Sequence, residues 1–171
     1  KQIDIINSVF SPSAEEIADF TVLAAREIRR FGITPKAALL SHSNFGSSNR
    51  PTARKMRQAV DLIRDLDPEL QVDGEMHADA ALSEELRNKL ISDSKFEGVA
   101  NLLVMPSLDA ANISYNLVRM LADGLAVGPM LLGMNQPAHI LAEGVTARGI
   151  MNMTALAVVG AQGETDGELP L

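Results

Sequence analysis

The sequence predicts an α/β fold, a mainly parallel sheet flanked by helices. Three observations carry this. Short β-rich apolar runs alternate with longer stretches of helical periodicity, the pattern of successive βα units. The composition, 46% apolar and 22% charged over 171 residues, suits one globular domain or one domain plus a fragment. No internal repeat or long low-complexity run breaks the alternation.

The elements follow in order. Residues 3–6 read as a short strand. Ser13 then caps a helix, with Glu16 three positions on as a capping box requires. Ile17, Phe20, Leu23, Ala24 and Ile28 continue at helical spacing, and Gly32 is a natural stop. Residues 36–42 form a small apolar strand, and a polar loop covers 43–50. Pro51 suits the first position of a helix running to about Asp65, with Met56, Ala59, Val60 and Ile63 on its inner face. A strand at 70–76 and one helix over 78–90 come next, then a loop at 92–95. The clearest strand is 101–105, closed by Pro106. Leu108, Ala111, Tyr115, Val118 and Ala122 mark one face of the following helix. Residues 127–134 mix Gly128, Pro129 and Gly133 with apolar residues and read as an edge strand or strand-like loop. Residues 146–161 are helical and apolar nearly all round, so the helix requires burial on several sides.

Composition excludes several classes. There is no cysteine, hence no disulfide, thiolate nucleophile or Cys-ligated metal. The net charge of −7 argues against a phosphate-backbone footprint, and no Trp with one Tyr and five Phe argues against base stacking. No nucleic-acid partner is expected. No apolar run approaches the roughly 18 residues of a membrane helix, so no membrane partner is expected either. The chain opens on Lys1-Gln2-Ile3-Asp4-Ile5 without a charged-then-apolar leader, which reads as a fragment boundary in a cytoplasmic protein.

Four constellations bear on chemistry. The strand–loop–helix passage around 39–57 sets Gly, Ser and Asn at a positive helix end, with Arg50, Arg54, Lys55 and Arg57 on the same turn. It admits two readings, a site for a phosphate-bearing ligand or an ordinary capped loop with a solvated basic face. No phosphate-loop or dinucleotide glycine pattern is present. Second, Asp73, Glu75, His77 and Asp79 fall on one face if extended, as a metal site or as a buried polar network. Spacing places neither His42 nor His139 near them. Third, Asn112 and Tyr115 share a face at a helix start beyond a strand end, where α/β folds bind ligands; Tyr115 is equally readable as a core residue. Fourth, the glycines of 128–137 permit close approach of a ligand or shape a tight crossover. No Gly-x-Ser-x-Gly elbow occurs.

Together the segments 38–47, 72–81, 100–106, 111–117 and 128–133 resemble the phosphate acetyl/butyryltransferase family. The motifs Ser41-His42-Ser43-Asn44-Phe45-Gly46-Ser47 and Asp73-Gly74-Glu75-Met76-His77-Ala78-Asp79 carry most of it. The variants at His42, Asn44-Phe45 and Met76-His77 are most similar to the transferase-like domain that follows the catalytic domains of large NADP-dependent malic enzymes. The resemblance extends over about 3–162 with the motifs in order. It implies a two-lobed, isocitrate dehydrogenase-like α/β architecture that forms dimers, of which this chain is a fragment. Residues 1–130 would be the second lobe, 131–162 a segment returning to the first lobe, and 163–171 a flexible tail. The body of the first lobe would lie upstream, and the apolar final helix would find its packing partners there or on another chain.

The resemblance also implies chemistry, position by position. The transferases pass acetyl between phosphate and coenzyme A, using a Leu-Ser-Arg-Gly turn and a nearby Asp proposed to deprotonate the thiol. The matching turn is Leu141-Ala142-Glu143-Gly144. The Ser has become Ala142, the phosphate-holding Arg has become Glu143, and the Asp falls on Gly149. Hydroxyl, cation and base are lost together, so no catalytic residue and little acetyltransferase activity are expected. Binding features persist, which implies acetyl-coenzyme A or a related ester as allosteric inhibitor of malate oxidation to pyruvate. The residues carried over for the effector are Ser43, Asn44, Gly46, Ser47, Arg54, Lys55, Asn112, Tyr115, Gly133, Asn135 and Asn152. No cofactor or metal belongs to this domain; NADP and a divalent metal belong to catalytic domains outside it. Further partners are the chain's own upstream domains and a homo-oligomer, dimer or higher. Two alternatives stand beside this, an active phosphate acetyltransferase and a purely structural oligomerisation module.

Overall fold

The computed structural model describes residues 4–6, 11–91, 94, 97–122, 127–141 and 144–165. Its elements are β1 (Asp4–Ile6), α1 (Ala14–Arg30), β2 (Lys36–Leu40), α2 (Pro51–Leu66), β3 (Gln71–Met76), α3 (Ala78–Leu82), α4 (Glu84–Leu90), β4 (Leu102–Val104), α5 (Leu108–Leu121) and α6 (Ala147–Thr165). The chain divides into two compact units, Lys1–Val118 and Arg119–Leu171.

The first unit is a parallel α/β sheet, as the alternation predicted. Its strand order is β1-β4-β2-β3, and every pairing is parallel. Strand alternation divides the apolar residues between two layers. Ala37, Leu39, Leu102 and Val104 are buried on one face, where α1 and α2 pack together and against the sheet. Ala38, Leu40, Leu103 and Met105 join Met76, Ala80, Ala81, Ala100 and Ala111 in a cluster on the other face. The small residues facing α3 let it lie close on β2. Gly74 serves the same end between β3 and β2: at φ +142° a Cβ there would come 2.8 Å from the Leu39 carbonyl oxygen.

The helix ends follow their capping chemistry. The Ser13–Glu16 capping box is reciprocal, with Glu16 N–H donating to Ser13 Oγ at 3.2 Å and Ser13 N–H to Glu16 Oε2 at 2.7 Å. Pro51 opens α2 as expected. The predicted helix over 78–90 is instead two, α3 and α4, because Ser83 leaves helical geometry to cap α4 through Leu86 N–H. Arg87 anchors the second piece. It is fully buried, and its guanidinium donates to Ala80 O, Gly98 O and Ser94 Oγ. The loop expected at 92–95 lies outside the described residues except for Ser94.

In the second unit, Thr146 caps α6, its hydroxyl accepting from Gly149 N–H at 3.1 Å. The helix runs to Thr165, past the predicted end at 161 and into the stretch read as tail. Of the two readings of 127–134, edge strand or strand-like loop, the second holds, with one antiparallel bridge, Met130 with His139. Three glycine and proline residues in that stretch leave little regular ladder to form. Met153 and Gly160 of α6 are buried, whereas Ile150, Met151, Val158 and Val159 remain exposed.

Candidate ligand-binding site

In an open parallel sheet, ligands bind beyond the carboxyl ends of the strands. Three loops gather at that edge in the first unit, following β2, β3 and β4. The β2–α2 loop is the most ordered by polar contacts, and its organiser is Glu75 at the end of β3. That carboxylate is fully buried. Its Oε1 accepts from Ser43 Oγ at 2.5 Å, Gly46 N–H at 3.0 Å and Arg57 Nη2 at 3.1 Å. Its Oε2 accepts from Arg57 Nε at 2.9 Å. Burial alone would push the Glu75 carboxyl up; the Arg57 guanidinium, the Ser43 hydroxyl and the Gly46 N–H outweigh it and hold the group below the usual carboxylate range. The same hydrogen bond to Glu75 raises Arg57.

The loop backbone is joined to β3 as well. Phe45 N–H donates to Glu75 O at 2.7 Å, and Ser41 N–H to Met76 O at 2.9 Å. His77 N–H donates to Asn44 Oδ1 at 2.7 Å. Phe45 takes a left-handed conformation at φ +46°, unusual for a non-glycine residue, while its ring packs on the apolar cluster. Within the loop, Ser43 N–H meets Ser41 Oγ, Asn44 N–H meets Ser47 Oγ, Ser47 N–H meets Asn44 O, and Ser48 N–H meets Ser43 Oγ. Every backbone N–H from Ser43 to Ser48 therefore has an acceptor inside the protein.

These contacts revise the picture of free loop donors. The backbone N–H groups and the Ser43 hydroxyl are committed to Glu75 and to the loop itself. What faces outward is side-chain chemistry. His42, Ser47, Asn49, Arg50 and Arg54 are exposed, and Asn44 is half-buried. Lys55 turns to the loop after β4, donating from Nζ to Pro106 O at 3.0 Å. Burial lowers its ammonium pKa, against an opposing pull from Glu16. Asn112 and Tyr115 both lie exposed on α5.

The second constellation is a polar network. Asp73 and Glu75 are both buried and both meet arginines of α2, Arg64 and Arg57, as residues two apart on one strand face do. Asp73 accepts from Arg64 Nη2 at 3.4 Å, from Gly74 N–H and from Ser94 Oγ. His77 and Asp79 lie beyond the strand, at the start of α3. Among the described residues no group of three His, Asp or Glu is placed to hold a metal.

In the second unit, Gly133 (φ +77°) and Asn135 are exposed, and Asn152 is half-buried on α6. Ala142 and Glu143 lie outside the described residues. Gly149 occupies the first turn of α6, where a Cβ would come 2.8 Å from Val145 Cγ2 and 3.4 Å from Thr146 Oγ1. A side chain at Gly149 would thus be crowded by Val145.

Sequence reasoning omitted Arg57 and Glu75 from the ligand set and left their pairing unseen. A signal was present. Arg57 stands at helical spacing between the buried Ala53 and Val60, at the border of the inner face of α2, so its guanidinium reaches the sheet. An inward arginine calls for a carboxylate, and Glu75 on β3 is the one it meets.

A parallel α/β sheet with three loops at its carboxyl edge, one of them built around a buried Glu–Arg pair, is the frame of this unit, and the fold is phosphotransacetylase-like. The likeness is direct. A phosphotransacetylase from Streptococcus pyogenes superposes with a TM-score of 0.88 at 34% identity, over 92% of this chain and 48% of that one. The EutD phosphotransacetylase from Staphylococcus aureus gives 0.83 at 32% identity, over 91% and 48%. The family model for phosphate acetyl/butaryl transferase matches residues 6–158, and the chain belongs to that family. Its similarity to malic enzymes is higher still. It is 63% identical over 150 residues to an NAD-dependent malic enzyme of Rhizobium meliloti and 56% identical over 152 residues to an NADP-dependent malic enzyme of Escherichia coli. In both cases 88% of this chain matches 20% of the relative. The chain therefore spans about a fifth of the length of these relatives.

Proposed function

We propose that this chain is the regulatory, phosphotransacetylase-like domain of a malic enzyme, and that it binds acetyl-coenzyme A or a related coenzyme A ester as an inhibitory effector. The observation that carries the reading is the pairing of two facts. Identity to a malic enzyme reaches 63% over 150 residues, and the family resemblance sets Ala142, Glu143 and Gly149 where the transferases carry Ser, Arg and Asp. Loss of a hydroxyl, a cation and a base leaves little to activate a thiol or to steady a developing phosphate charge. The crowding of Gly149 by Val145 fits a site where the base is no longer required.

Inhibition by a coenzyme A ester makes chemical sense. Malate oxidation to pyruvate feeds acetyl-coenzyme A, so the ester reports sufficiency downstream. The effector acts by binding two states of the assembly with different affinity. Its phosphates meet the exposed Arg54 and its neighbours in the first unit, where Asn112 and Tyr115 are exposed on α5. Nicotinamide dinucleotide and a divalent metal serve the catalytic domains in this reading, which places the protein in the cytoplasm and in a homo-oligomer with its own upstream domains as neighbours. No helix among the described residues is long and apolar enough to cross a membrane.

The test is a calorimetric titration of acetyl-coenzyme A into the whole protein, with an acetyl phosphate and coenzyme A turnover assay beside it. The expected outcome is saturable binding near the micromolar range, roughly −8 kcal/mol, without turnover. Turnover would establish the transferase alternative, which the fold likeness to phosphotransacetylases favours. Absence of both binding and turnover would leave the oligomerisation module, which the exposed apolar helices favour.

A further inference from the structure

An ionised carboxylate is costly to bury unless cations and hydrogen-bond donors surround it. Glu75 is fully buried and is met by a hydroxyl from Ser43, a backbone N–H from Gly46 and two N–H groups of Arg57. This is the donor set with which proteins hold an external anion: a guanidinium fork, a hydroxyl and an N–H beside a left-handed residue. Here the anion comes from the protein itself. We propose that Glu75 is the resident anion of the β2–α2 loop and acts as its positioning residue, folding 43–48 before any ligand arrives.

Three observations converge on this. The contacts to the carboxylate come from the start and the middle of the loop, Ser43 and Gly46, and from the helix after it, Arg57. The strained turn through Phe45 is joined to the same residue, Phe45 N–H donating to Glu75 O at 2.7 Å. Arg57 closes the ring by donating from Nη2 to Ser48 O at 3.0 Å, so one guanidinium grips the carboxylate and the loop backbone together. Removing the carboxylate takes the acceptor from Gly46 and Ser43 and the counter-ion from Arg57, and the amide of Gln leaves one uncharged acceptor oxygen for the four donors. A preformed loop spares an arriving ligand the ordering cost. That consequence rests on the effector reading; the folding of the loop does not.

The experiment compares the whole protein with Glu75→Gln, nearly isosteric, and Glu75→Ala. Amide hydrogen exchange without ligand is expected to be roughly tenfold or more faster at Gly46 in both variants, with α1 amides unchanged. Acetate, which replaces the atoms removed in Glu75→Ala, is expected to restore protection in that variant, and chloride at equal ionic strength is not. Gly46 exchange unchanged by both substitutions, or acetate acting no differently from chloride, overturns the proposal. Should Glu75→Ala fail to fold, Glu75→Gln carries the exchange comparison alone. Acetyl-coenzyme A is then titrated into wild type and Glu75→Gln, where roughly tenfold weaker binding is expected in the variant. Equal binding overturns the positioning role. A wild type that binds nothing, while Gly46 protection still follows Glu75, overturns the effector reading and supports the loop's dependence on its own carboxylate.

Discussion

Ser43 and Gly46 illustrate how residue type alone leaves a site undecided. A Gly/Ser loop at a helix start is equally suited to an external anion and to an internal one, because the donors are the same. The loop itself was legible in the sequence, and so was its basic helix. The occupant was not, because Glu75 stands 29 residues from Gly46 in the chain and meets it only through the parallel pairing of β2 with β3. The pairing makes stability depend on pH in a defined direction. The folded Glu75 carboxyl lies below its usual range, so its contribution is complete above the unfolded value of about 4.3 and is lost as pH falls through the folded value. Glu75→Gln is expected to cost about 2 kcal/mol at pH 7, less than the 3–5 typical of breaking an enclosed pair, since the Arg57 side chain is 37% exposed. Urea midpoints of wild type and variant should converge below about pH 4. A gap that stays constant from pH 7 to pH 2.5 would rule out an ionised Glu75 as its source.

Among the elements, those with local signals were legible and those set by distant partners were not. Ser13 with Glu16, Pro51 and the 3.6-residue spacing of α1 and α2 all act within one or two turns, and the helices stand where these place them. Ser83 makes the break between α3 and α4, but the placing of α4 depends on Arg87, whose role is tertiary. Its guanidinium reaches Ala80 O at 3.2 Å, Gly98 O at 2.6 Å and Ser94 Oγ at 2.8 Å, and Ser94 Oγ passes on to Asp73 Oδ2 at 3.1 Å. This chain of hydrogen bonds connects α4, the middle of α3, the segment before β4 and β3 itself. A planar fork serves these divergent acceptors as an ammonium cannot. Arg87→Lys is accordingly expected to destabilise the fold by about 2–3 kcal/mol despite keeping the charge. Equilibrium urea unfolding checks this, and a loss under about 0.5 kcal/mol, the range of an ordinary surface substitution, would mean that charge alone holds α4.

On the scale of the whole molecule, the first unit closes its core and the two last helices carry their apolar residues outward. Ile113, Leu117, Met120 and Leu121 recur at helical spacing along α5, with Leu121 83% exposed, and Ile150, Met151, Val158 and Val159 do so on α6. Soluble proteins rarely leave contiguous apolar surface of this kind uncovered. The helical period predicted α6 as a helix needing burial on several sides, and its exposure in this chain is the reason to look for cover elsewhere. Burying a Val, Leu, Ile or Met side chain is worth roughly 1.5–3 kcal/mol, so a handful of these residues suffices to hold an interface of ordinary size against its association cost. The cover is proposed to be a second copy of the protein or its own upstream part, and two substitutions on one helix separate these. Leu117→Glu with Leu121→Glu, placed in the whole protein, is expected to lower the sedimentation mass if α5 packs on another copy. If α5 packs within the same polypeptide, the mass holds and the urea midpoint falls instead. A double variant that keeps both its mass and its midpoint would show that α5 faces water in the whole protein and would overturn the proposal that a second copy or an upstream part covers it.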